Sequence, residues 1–472
     1  MQNLLSSFKA KQAGILLNAL QKANDEEFSR FVLENIDAIS VWLHSEEFEK
    51  EHLQKPFPPL LNPKFLELES SRYCANLAWN LNLPLSIAGA GGGGPPPPPP
   101  APPRPPPPAR LKLIYISPHG VGAAAFVGYL FCCDVFCQPS WNMPLDSKER
   151  YIQNFIDISE GKYQYYGVNI SEFDIKDLDK FCHLLGKDTP VIIGTRDSIG
   201  ILKHCIGRNW DKHIINFNQE FNLSHDFRDY TRHITHKDME IKIDFKDLEN
   251  SFTSTKILPF FRNITPVDCE EILPHKALET MQKLAAKFHF NPPKNKTYFQ
   301  NYEFKGYLRY ILPLILYANE KDPIFSLEKS VKETPLDREN SFVFIINQNS
   351  ETYEEYENIF KELSDDPISQ NLGVYVKKED LKRIDKEFYA KIKGYLSEFI
   401  AEIIRVTKEA EEKILKEKDV LAFLKEHRDI SLKFKKMCDE ELKYFKQNHP
   451  NLVNSWHYYK EFEKLCETFA IN

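Results

Sequence analysis

Residues Leu111–Cys137, LKLIYISPHGVGAAAFVGYLFCCDVFC, form the stretch that decides the fold. The apolar run over 111–117 predicts a buried strand, residues 118–122 predict a tight turn with two glycines, and the apolar residues up to Cys137 predict a helix. The backbone N–H groups of such a turn point to one position, and the helix N-terminus adds about half a positive charge there. The stretch therefore predicts an α/β fold with an anion-binding loop.

The composition of the 472-residue chain is that of a globular protein, with 42% hydrophobic residues and many Phe and Tyr. That length predicts two or three domains. A net charge of −7 argues against a nucleic-acid partner. The sequence contains no run of 18 apolar residues, and its first apolar run, GILLNAL, is too short for a signal peptide. We therefore expect a cytoplasmic protein without a transmembrane segment.

The nine cysteines contain no CxxC pair and are odd in number, which indicates reduced thiols rather than a disulfide framework. Cys133 and Cys137 are spaced i, i+4 on the predicted helix. Metal binding is one reading of this pair, but small residues filling a helix–sheet contact explain it better. We therefore predict no metal site. Asp134 is costly to bury alone in this apolar stretch and should have a partner.

Changes in composition predict four parts. Residues 1–87 have helical periodicity, residues 111–377 have the pattern of an α/β domain, and residues 378–472 are helical again. Residues 88–110 contain twelve Pro and five Gly, which predicts a stiff polyproline II spacer or, alternatively, a ligand for proline-recognising domains. The C-terminal part is expected to be a helical hairpin that packs on the core or self-associates.

Further strands are predicted after the first one. Residues 191–194 form a short apolar run followed by Arg196 and Asp197, and the segment 256–261 is a third strand candidate before an amphipathic helix from Pro274. Residues 342–347 and 373–376 predict two more strands that flank a helix over 353–363. This second βαβ-like unit is expected to extend the same sheet.

The turn SPHGVGAA at 117–124 is not a Walker A loop. It lacks the Gly-Lys-Ser/Thr ending whose Lys reaches the β- and γ-phosphates and whose hydroxyl binds magnesium. Hydrolysis of a nucleoside triphosphate is therefore disfavoured. A single phosphate can still be held, because backbone N–H groups and a helix dipole suffice for that.

Two segments resemble sulfotransferases. The strand followed by Pro118-His119-x-x-Gly122 resembles the 5′-phosphosulfate loop of that family, Pro-Lys/Arg-Ser/Thr-Gly-Thr/Ser-Thr/Ser, and VIIGTRD at 191–197 is similar to its second motif. In that motif an Arg, and a Ser eight residues later, hold the 3′-phosphate of the donor. Together with the segment that ends in Phe288-His-Phe, the resemblance covers residues 111–295.

The resemblance implies a sulfotransferase-like P-loop core with a parallel sheet. It also implies a nucleotide donor, 3′-phosphoadenosine 5′-phosphosulfate or a nucleotide sugar, and a carbohydrate acceptor. The implied ligand-binding residues are Pro118, His119, Gly120, Val121, Gly122, Ala123, Ala124, Arg196, Asp197 and His204.

The chain departs from the sulfotransferase motifs at four positions. His119 replaces the loop Lys or Arg, Ala123 and Ala124 replace two hydroxyl residues, and His204 replaces the Ser. Neutral histidine gives less stabilisation to charge that develops on a bridging oxygen. The resemblance therefore supports the fold and a phosphorylated ligand better than it supports sulfuryl transfer. Arg196 could instead pair with Asp197 or cap a helix, and His204 could instead be a core-facing helix residue.

A second resemblance covers most of residues 111–410. The Gly/Pro tract, SPHGVGAAAF and NLGVYVKKEDLKR look like a poorly characterised epsilonproteobacterial family whose members are labelled sugar transferases or invasion-associated proteins. It implies a role in surface glycans or in host-cell invasion.

The candidates for a catalytic base are His119 and the histidines of SHDFRDYTRHITH, namely His225, His233 and His236. A metal site and a solvated loop that mixes charges and aromatics are the alternatives for this segment. Two functions remain open. The chain is either a transferase that modifies a surface glycan, or a non-catalytic, degenerate P-loop scaffold used for protein association or host-cell invasion.

Overall fold

The structure is a computed structural model with two compact units. Unit 1 comprises Met1–Cys205, Asp244–Lys296 and Leu424–Asn472, and unit 2 comprises Ile206–Ile243 and Thr297–Phe423. The described residues are 8–65, 69–89, 110–139, 142–144, 146–171, 176–206, 218–234, 241–249, 252, 254–294, 296–299, 308–328, 331–349 and 354–471. The predicted polyproline spacer over 95–108 and His236 lie outside these residues. The predicted 111–377 domain contributes to both units.

The strands are β1 Leu111–Ser117, β2 Val135–Cys137, β3 Tyr165–Ser171, β4 Val191–Thr195, β5 Glu220–Asn222, β6 Ile264–Asp268, β7 Leu314–Ala318, β8 Phe342–Gln348, β9 Tyr356–Asn358 and β10 Leu372–Lys377. The helices before residue 300 are α1 Ala10–Ala23, α2 Glu26–Glu34, α3 Ile36–Leu43, α4 Glu46–Glu51, α5 Arg72–Asn80, α6 Ala123–Phe131, α7 Ser147–Glu160, α8 Leu178–Leu185, α9 Ser198–Ile206, α10 Arg228–Thr231, α11 Phe245–Glu249, α12 Ser254–Ile257 and α13 Pro274–Phe288. The later helices are α14 Leu308–Ile311, α15 Phe360–Leu363, α16 Lys378–Arg383, α17 Lys386–Glu412, α18 Glu417–Glu426, α19 Arg428–Glu441, α20 Lys443–Asn448, α21 Pro450–Ser455 and α22 His457–Ile471.

Unit 1 contains a parallel sheet with the strand order β2-β3-β1-β4-β6. β1 lies at its centre, where Ile114 pairs with Val168 of β3 and Val191 of β4. The middle of β1 is fully buried, as expected for a strand covered on both faces. The predicted α/β fold with a parallel sheet is therefore confirmed.

Unit 2 contains a second sheet, with the order β5-β7-β8-β10-β9. β5 and β7 are parallel, and the other neighbouring strands are antiparallel. The apolar face of α17 belongs to the core of this unit, where the rings of Phe227 and Phe399 stack with centroids 5.2 Å apart. The prediction that residues 342–376 extend the first sheet is wrong, because β8 and β10 pair antiparallel with each other in the second one.

The helix predicted over 123–137 is too long. α6 ends at Phe131, Asp134 adopts a left-handed φ of 58°, and the chain then enters β2. A short buried strand and a buried helix are equally apolar, so periodicity could not separate them. Cys133 and Cys137 are consequently not neighbours on one helix. Asp134 does have the expected partners, with Lys294 at 2.6 Å and Nδ2 of Asn291 at 2.7 Å.

Three other segments also differ from the prediction. Residues 256–261, predicted as a strand, form the end of α12 and a 3-10 turn over Leu258–Phe260. Pro259 has no N–H to donate to a neighbouring strand, which disfavours a central strand here. The strand β6 begins later, at Ile264. Residues 356–358 of the predicted helix over 353–363 form the strand β9, and the helix α15 covers only Phe360–Leu363. The C-terminal part is helical as predicted, but α16–α22 replace the expected hairpin. No helix of the described residues is long and apolar enough to cross a membrane.

Candidate anion-binding site

The loop between β1 and α6 lies at the carboxyl edge of the parallel sheet. The chain leaves β1 toward β2 and β3 on one side and later returns to β4 and β6 on the other side. In open α/β sheets, ligands bind outside the carboxyl ends of the strands where the strand order reverses in this way. The loop over 118–124 therefore occupies the position where this fold class binds ligands.

Two glycines give the loop its shape. Gly120 and Gly122 have φ angles of 80° and 83°, which residues with a side chain rarely adopt. Gly122 is the N-cap of α6 and provides no side-chain cap. The first N–H groups of α6 have no acceptor within the helix, so Ala123 and Ala124 present backbone donors at the positive end of the helix dipole.

Neighbouring side chains fix the loop on the sheet. Val121 is almost fully buried. A Cβ atom added to Gly194 of β4 would lie only 2.6 Å from the Cγ2 atom of Val121. A Cβ added to Gly122 would lie 2.7 Å from Cδ1 of Ile272. Val121 and Gly122 of the loop are thus packed against Gly194 of β4 and Ile272 of the segment after β6.

Arg196 follows β4 and reaches back to the loop. Its Nη1 atom donates a 2.8 Å hydrogen bond to the carbonyl oxygen of Gly120. Gly200 makes room for this side chain, because a Cβ there would lie 2.6 Å from the Nε atom of Arg196. The structure thus brings the side chain of Arg196 and the glycine loop together.

Further basic side chains lie near the loop. The rings of His119 and His204 are 4.8 Å apart, and a Cβ at Gly120 would lie 3.1 Å from the His204 ring. Burial raises the pKa of the Cys269 thiol, whereas the charges of Arg196 and Lys203 oppose that rise. Arg196 and Lys203 therefore both lie near Cys269, the first residue after β6. Nε2 of His119 is shielded from solvent.

Asp197 has a structural role in this arrangement. Its Oδ1 atom accepts a 2.9 Å hydrogen bond from the backbone N–H of Ile199, near the start of α9. Its Oδ2 atom accepts hydrogen bonds from the N–H groups of Tyr458 at 2.9 Å and Tyr459 at 3.1 Å. One carboxylate therefore caps both α9 and α22, which fixes the start of the last helix at the end of β4.

Sequence reasoning missed Asp268, the last residue of β6. Its Oδ2 atom accepts a 2.8 Å hydrogen bond from Nε1 of Trp456 and a 3.4 Å hydrogen bond from the hydroxyl of Thr195. Thr255 also donates from both its backbone N–H and its hydroxyl to Glu441 of α19, at 3.2 and 3.1 Å. The C-terminal helices of unit 1 thus hold the carboxyl edge of the sheet at β4 and β6. No local pattern marks these pairs, since 188 residues separate Asp268 from Trp456.

Two of the proposed bases, His225 and His233, come from the segment SHDFRDYTRHITH and belong to unit 2. His119 belongs to unit 1. Nδ1 of His225 lies 2.8 Å from Oδ1 of the buried Asn222, and its Nε2 lies 4.0 Å from a carboxylate oxygen of Glu333. Burial and the neighbouring Arg232 lower the pKa of His233. His225 is thus built into the polar interior of unit 2.

In the part of the chain that the structure describes, one group of three metal-ligating residues comes together: Glu47, Glu51 and His52 on and after α4. Glu47 already pairs with Lys64 at 2.8 Å, and burial together with Lys55 lowers the pKa of His52. The cations beside this group neutralise the charge that would attract a metal ion. All nine cysteines are free thiols.

Part of the chain matches a family model. Residues 266–469 match the model of a family described as a protein of unknown function, DUF2972. The matched region begins in β6 and contains unit 2 from Thr297 onward, Asp268 and the segment Trp456–Tyr459, but not the loop 118–124. None of the curated proteins matches the chain.

Proposed function

We propose that the loop 118–124 binds a phosphate group of a nucleotide donor, and that the chain is a transferase that passes a group from this donor to a hydroxyl of a surface carbohydrate. The observation that carries the proposal is the hydrogen bond from Arg196 to the carbonyl of Gly120, at the mouth of a glycine turn that begins a helix. A helix N-terminus with uncapped N–H groups and an adjacent guanidinium is a suitable site for phosphate.

The charges near the loop support a nucleotide rather than a neutral ligand. Arg196 and Lys203 supply fixed positive charge, and the dipole of α6 adds to it. The imidazole of His119 lies on the loop, and its ring centroid is 4.8 Å from that of His204. The donors that this arrangement suits are 3′-phosphoadenosine 5′-phosphosulfate and nucleotide sugars. In either reaction the hydroxyl oxygen bonds to the transferred group, the bond to the nucleotide phosphate breaks, and the hydroxyl proton goes to a base.

The carboxylates at the ends of β4 and β6 are engaged elsewhere, so we assign neither as that base. Asp197 accepts hydrogen bonds from the start of α22, and Asp268 accepts one from Trp456. Among the sequence candidates, His119 is the residue that lies on the loop itself. We expect loop residues to determine nucleotide affinity, and His119 to affect turnover if it accepts the proton.

Calorimetric titration of the full chain with 3′-phosphoadenosine 5′-phosphate, a nucleotide sugar and ATP tests the proposal. We expect one of these nucleotides to bind at one site per chain. Arg196→Ala should lower its affinity by about tenfold or more, because the variant loses one charge-assisted contact. Arg262→Ala is the matched control, because Arg262 lies before β6, at the opposite edge of the sheet, and pairs with Asp188 at 3.5 Å. Equal effects of the two substitutions, or no nucleotide binding, would remove the basis of the proposal.

A second function, the non-catalytic scaffold, is favoured by one observation. The C-terminal helices use both strand-end carboxylates, Asp197 and Asp268, for their own attachment. On this alternative, the edge of the sheet anchors α19 and α22 as a surface for protein association, including the association implied for host-cell invasion. Sedimentation velocity separates the two: concentration-dependent self-association without nucleotide binding supports the scaffold, and nucleotide binding by a monomer supports the transferase.

A further inference from the structure

A second candidate binding site lies in unit 1, away from the loop. A cavity of about 1190 Å³ is lined by α1, the chain after α4, the end of α5, the start of α8 and one residue of α12. No residue of 118–124 is among the described residues that line it. Ligand pockets commonly have volumes of about 300–1,000 Å³, so this cavity can hold a sizeable small molecule.

The charge of the cavity is strongly one-sided. Its positive lining residues are Lys11, Lys22, Lys55, Lys180 and Lys256. Its negative lining residues are Asp177 and Asp179. Five lysines against two carboxylates make the lining basic, although the whole chain carries a net charge of −7. Concentrating lysines in a concave site of an acidic protein raises the local concentration of anions.

Aromatic rings hold two of these lysines in place. Nζ of Lys180 lies 4.5 Å from the ring centroid of the buried Trp79, and Nζ of Lys22 lies 5.9 Å from that of Phe57. The face of an aromatic ring attracts a cation, so these ammonium groups lie beside aromatic residues that line the cavity. The cavity therefore combines fixed cations with an apolar wall.

Repulsion among the lysines is not offset by the acidic residues present. The charged groups that face Lys180 are Lys148 and Lys22, which repel it, and Asp177, which attracts it. Burial and this repulsion lower the pKa of Lys180 to about 7. Burial and Lys187 lower the pKa of Lys55 in the same way. A bound anion would relieve this repulsion, which gives its binding a favourable electrostatic contribution.

We propose that this cavity binds a small organic polyanion that carries at least two phosphate or sulfate groups, with the five lysines as its ligands. One phosphate group would leave most of the ammonium groups without a counter-charge, whereas a polyanion can neutralise several of them at once. Lysine ammonium groups act as point charges toward phosphate and do not need the planar geometry that arginine imposes. The apolar wall of Trp79 and Phe57 fits an organic scaffold better than inorganic phosphate.

Titration of the full chain with myo-inositol hexakisphosphate, with inorganic pyrophosphate as the smaller probe, tests this site by calorimetry. We expect one molecule of inositol hexakisphosphate to bind per chain at about 0.15 M salt, a condition that screens weak surface contacts. Lys180→Met and Lys22→Gln should each weaken the affinity by about tenfold. Lys22 is exposed, so its variant is expected to fold even if replacement of the more buried Lys180 does not.

Two controls locate the site. Lys50→Gln alters an exposed lysine of α4 that pairs with Glu46 at 3.0 Å and is not among the residues that line the cavity. This variant should bind inositol hexakisphosphate with the affinity of the unaltered chain. Arg196→Ala should also leave inositol hexakisphosphate binding unchanged, because Arg196 belongs to the loop. Absence of binding, or an equal loss in Lys50→Gln and Lys22→Gln, overturns the proposal. A loss of affinity in Arg196→Ala alone would mean that inositol hexakisphosphate binds at the loop, and this result would also overturn the proposal.

Proton uptake gives a second, independent readout. An anion beside Lys180 favours its charged form, so binding at about pH 8 should draw protons from the buffer. The apparent binding heat should then differ between buffers of different ionisation enthalpy, and this difference should disappear in Lys180→Met. Binding with the same heat in all buffers would contradict the proposed position of the anion beside Lys180.

Discussion

Arg196 donates a 2.8 Å hydrogen bond from Nη1 to the carbonyl oxygen of Gly120, although the two residues are 76 positions apart in the sequence. The contact follows from the sheet, because β1 and β4 are parallel neighbours and their carboxyl ends lie side by side. A guanidinium carries a fixed positive charge, and this hydrogen bond places that charge beside the loop. The same contact positions the Arg and orders the loop.

The first prediction concerns the shape of the loop. Gly122→Ala should lower the free energy of unfolding by about 1–3 kcal/mol, because the new Cβ meets Ile272 and the residue must keep a positive φ. Chemical denaturation measures the change. Gly14→Ala is the control: a Cβ at this helical residue meets nothing within 4 Å, so the substitution should raise stability by about 0.5–1 kcal/mol. Equal effects of the two substitutions would show that Gly122 is not constrained.

The second prediction concerns the cap formed by Asp197. Asp197→Ala should destabilise the chain by about 1–2 kcal/mol, since it removes the acceptor for the first turn of α22. Hydrogen exchange at the amides of Tyr458 and Tyr459 should accelerate in the variant. Asp188→Ala provides the comparison, because Asp188 is exposed and its side chain pairs with Arg262 at the surface. It should change stability by less than about 0.5 kcal/mol. Unchanged exchange at both tyrosine amides would refute the cap.

The third prediction concerns the interior of unit 2. Asn222 is fully buried, and its Nδ2 donates to the carbonyl and hydroxyl oxygens of Thr334 at 3.0 and 3.1 Å. Its Oδ1 accepts a 2.6 Å hydrogen bond from Ser224. Asn222→Leu should therefore lower the free energy of unfolding by about 2–4 kcal/mol, because several buried polar groups lose their partners. Denaturation of the variant measures this.

A neighbouring Asn provides the control for that experiment. Asn340 lies in the same unit, but it is exposed and bonds to Asp337 beside it. Asn340→Ala should cost less than about 1 kcal/mol, since water can replace its bonds. A loss at Asn222 no larger than that at Asn340 would indicate that the network around Thr334 contributes little to stability.

The fourth prediction concerns pH. Burial and two lysines lower the pKa of Lys180 from 10.5 to about 7, so its charged form is less stable in the folded chain than in the unfolded chain. Between these values the unfolded chain binds more protons at this group, and stability should rise with pH by at most about 1.4 kcal/mol per pH unit. Lys180→Met should lack this rise, whereas Lys50→Met should keep it. A stability difference between the unaltered chain and Lys180→Met that is independent of pH would contradict the burial of this charge.

The sequence was informative where one short segment determines the local structure. The alternation of buried strand, glycine turn and apolar helix around Gly122 was sufficient to predict the loop. The apolar run ending at Arg196 was sufficient to place that side chain at the end of a strand. The limits of α6 were not predictable, because Val135–Cys137 is as apolar as the helix before it. The two sheets were also not separable, since strand patterns do not state which strands pair.

The contacts made by the C-terminal helices were beyond sequence reasoning. Asp197 was proposed as a ligand-binding residue because it follows Arg196 in the motif. No nearby residue indicates that its carboxylate would accept hydrogen bonds from the backbone N–H groups of Tyr458 and Tyr459. The bond between Asp268 and Trp456 has the same origin in long-range packing. The lysines of the cavity are likewise spread from Lys11 to Lys256 and come together only in the folded chain.

The central claim is that the backbone N–H groups of the loop hold an anion. Titration of the isotope-labelled chain with 3′-phosphoadenosine 5′-phosphate, followed by backbone amide NMR, tests this most directly. We predict saturable shifts of the amide protons of Gly122, Ala123 and Ala124, and their loss in Arg196→Ala. Loop amides that do not move while the nucleotide is present in excess would contradict the claim.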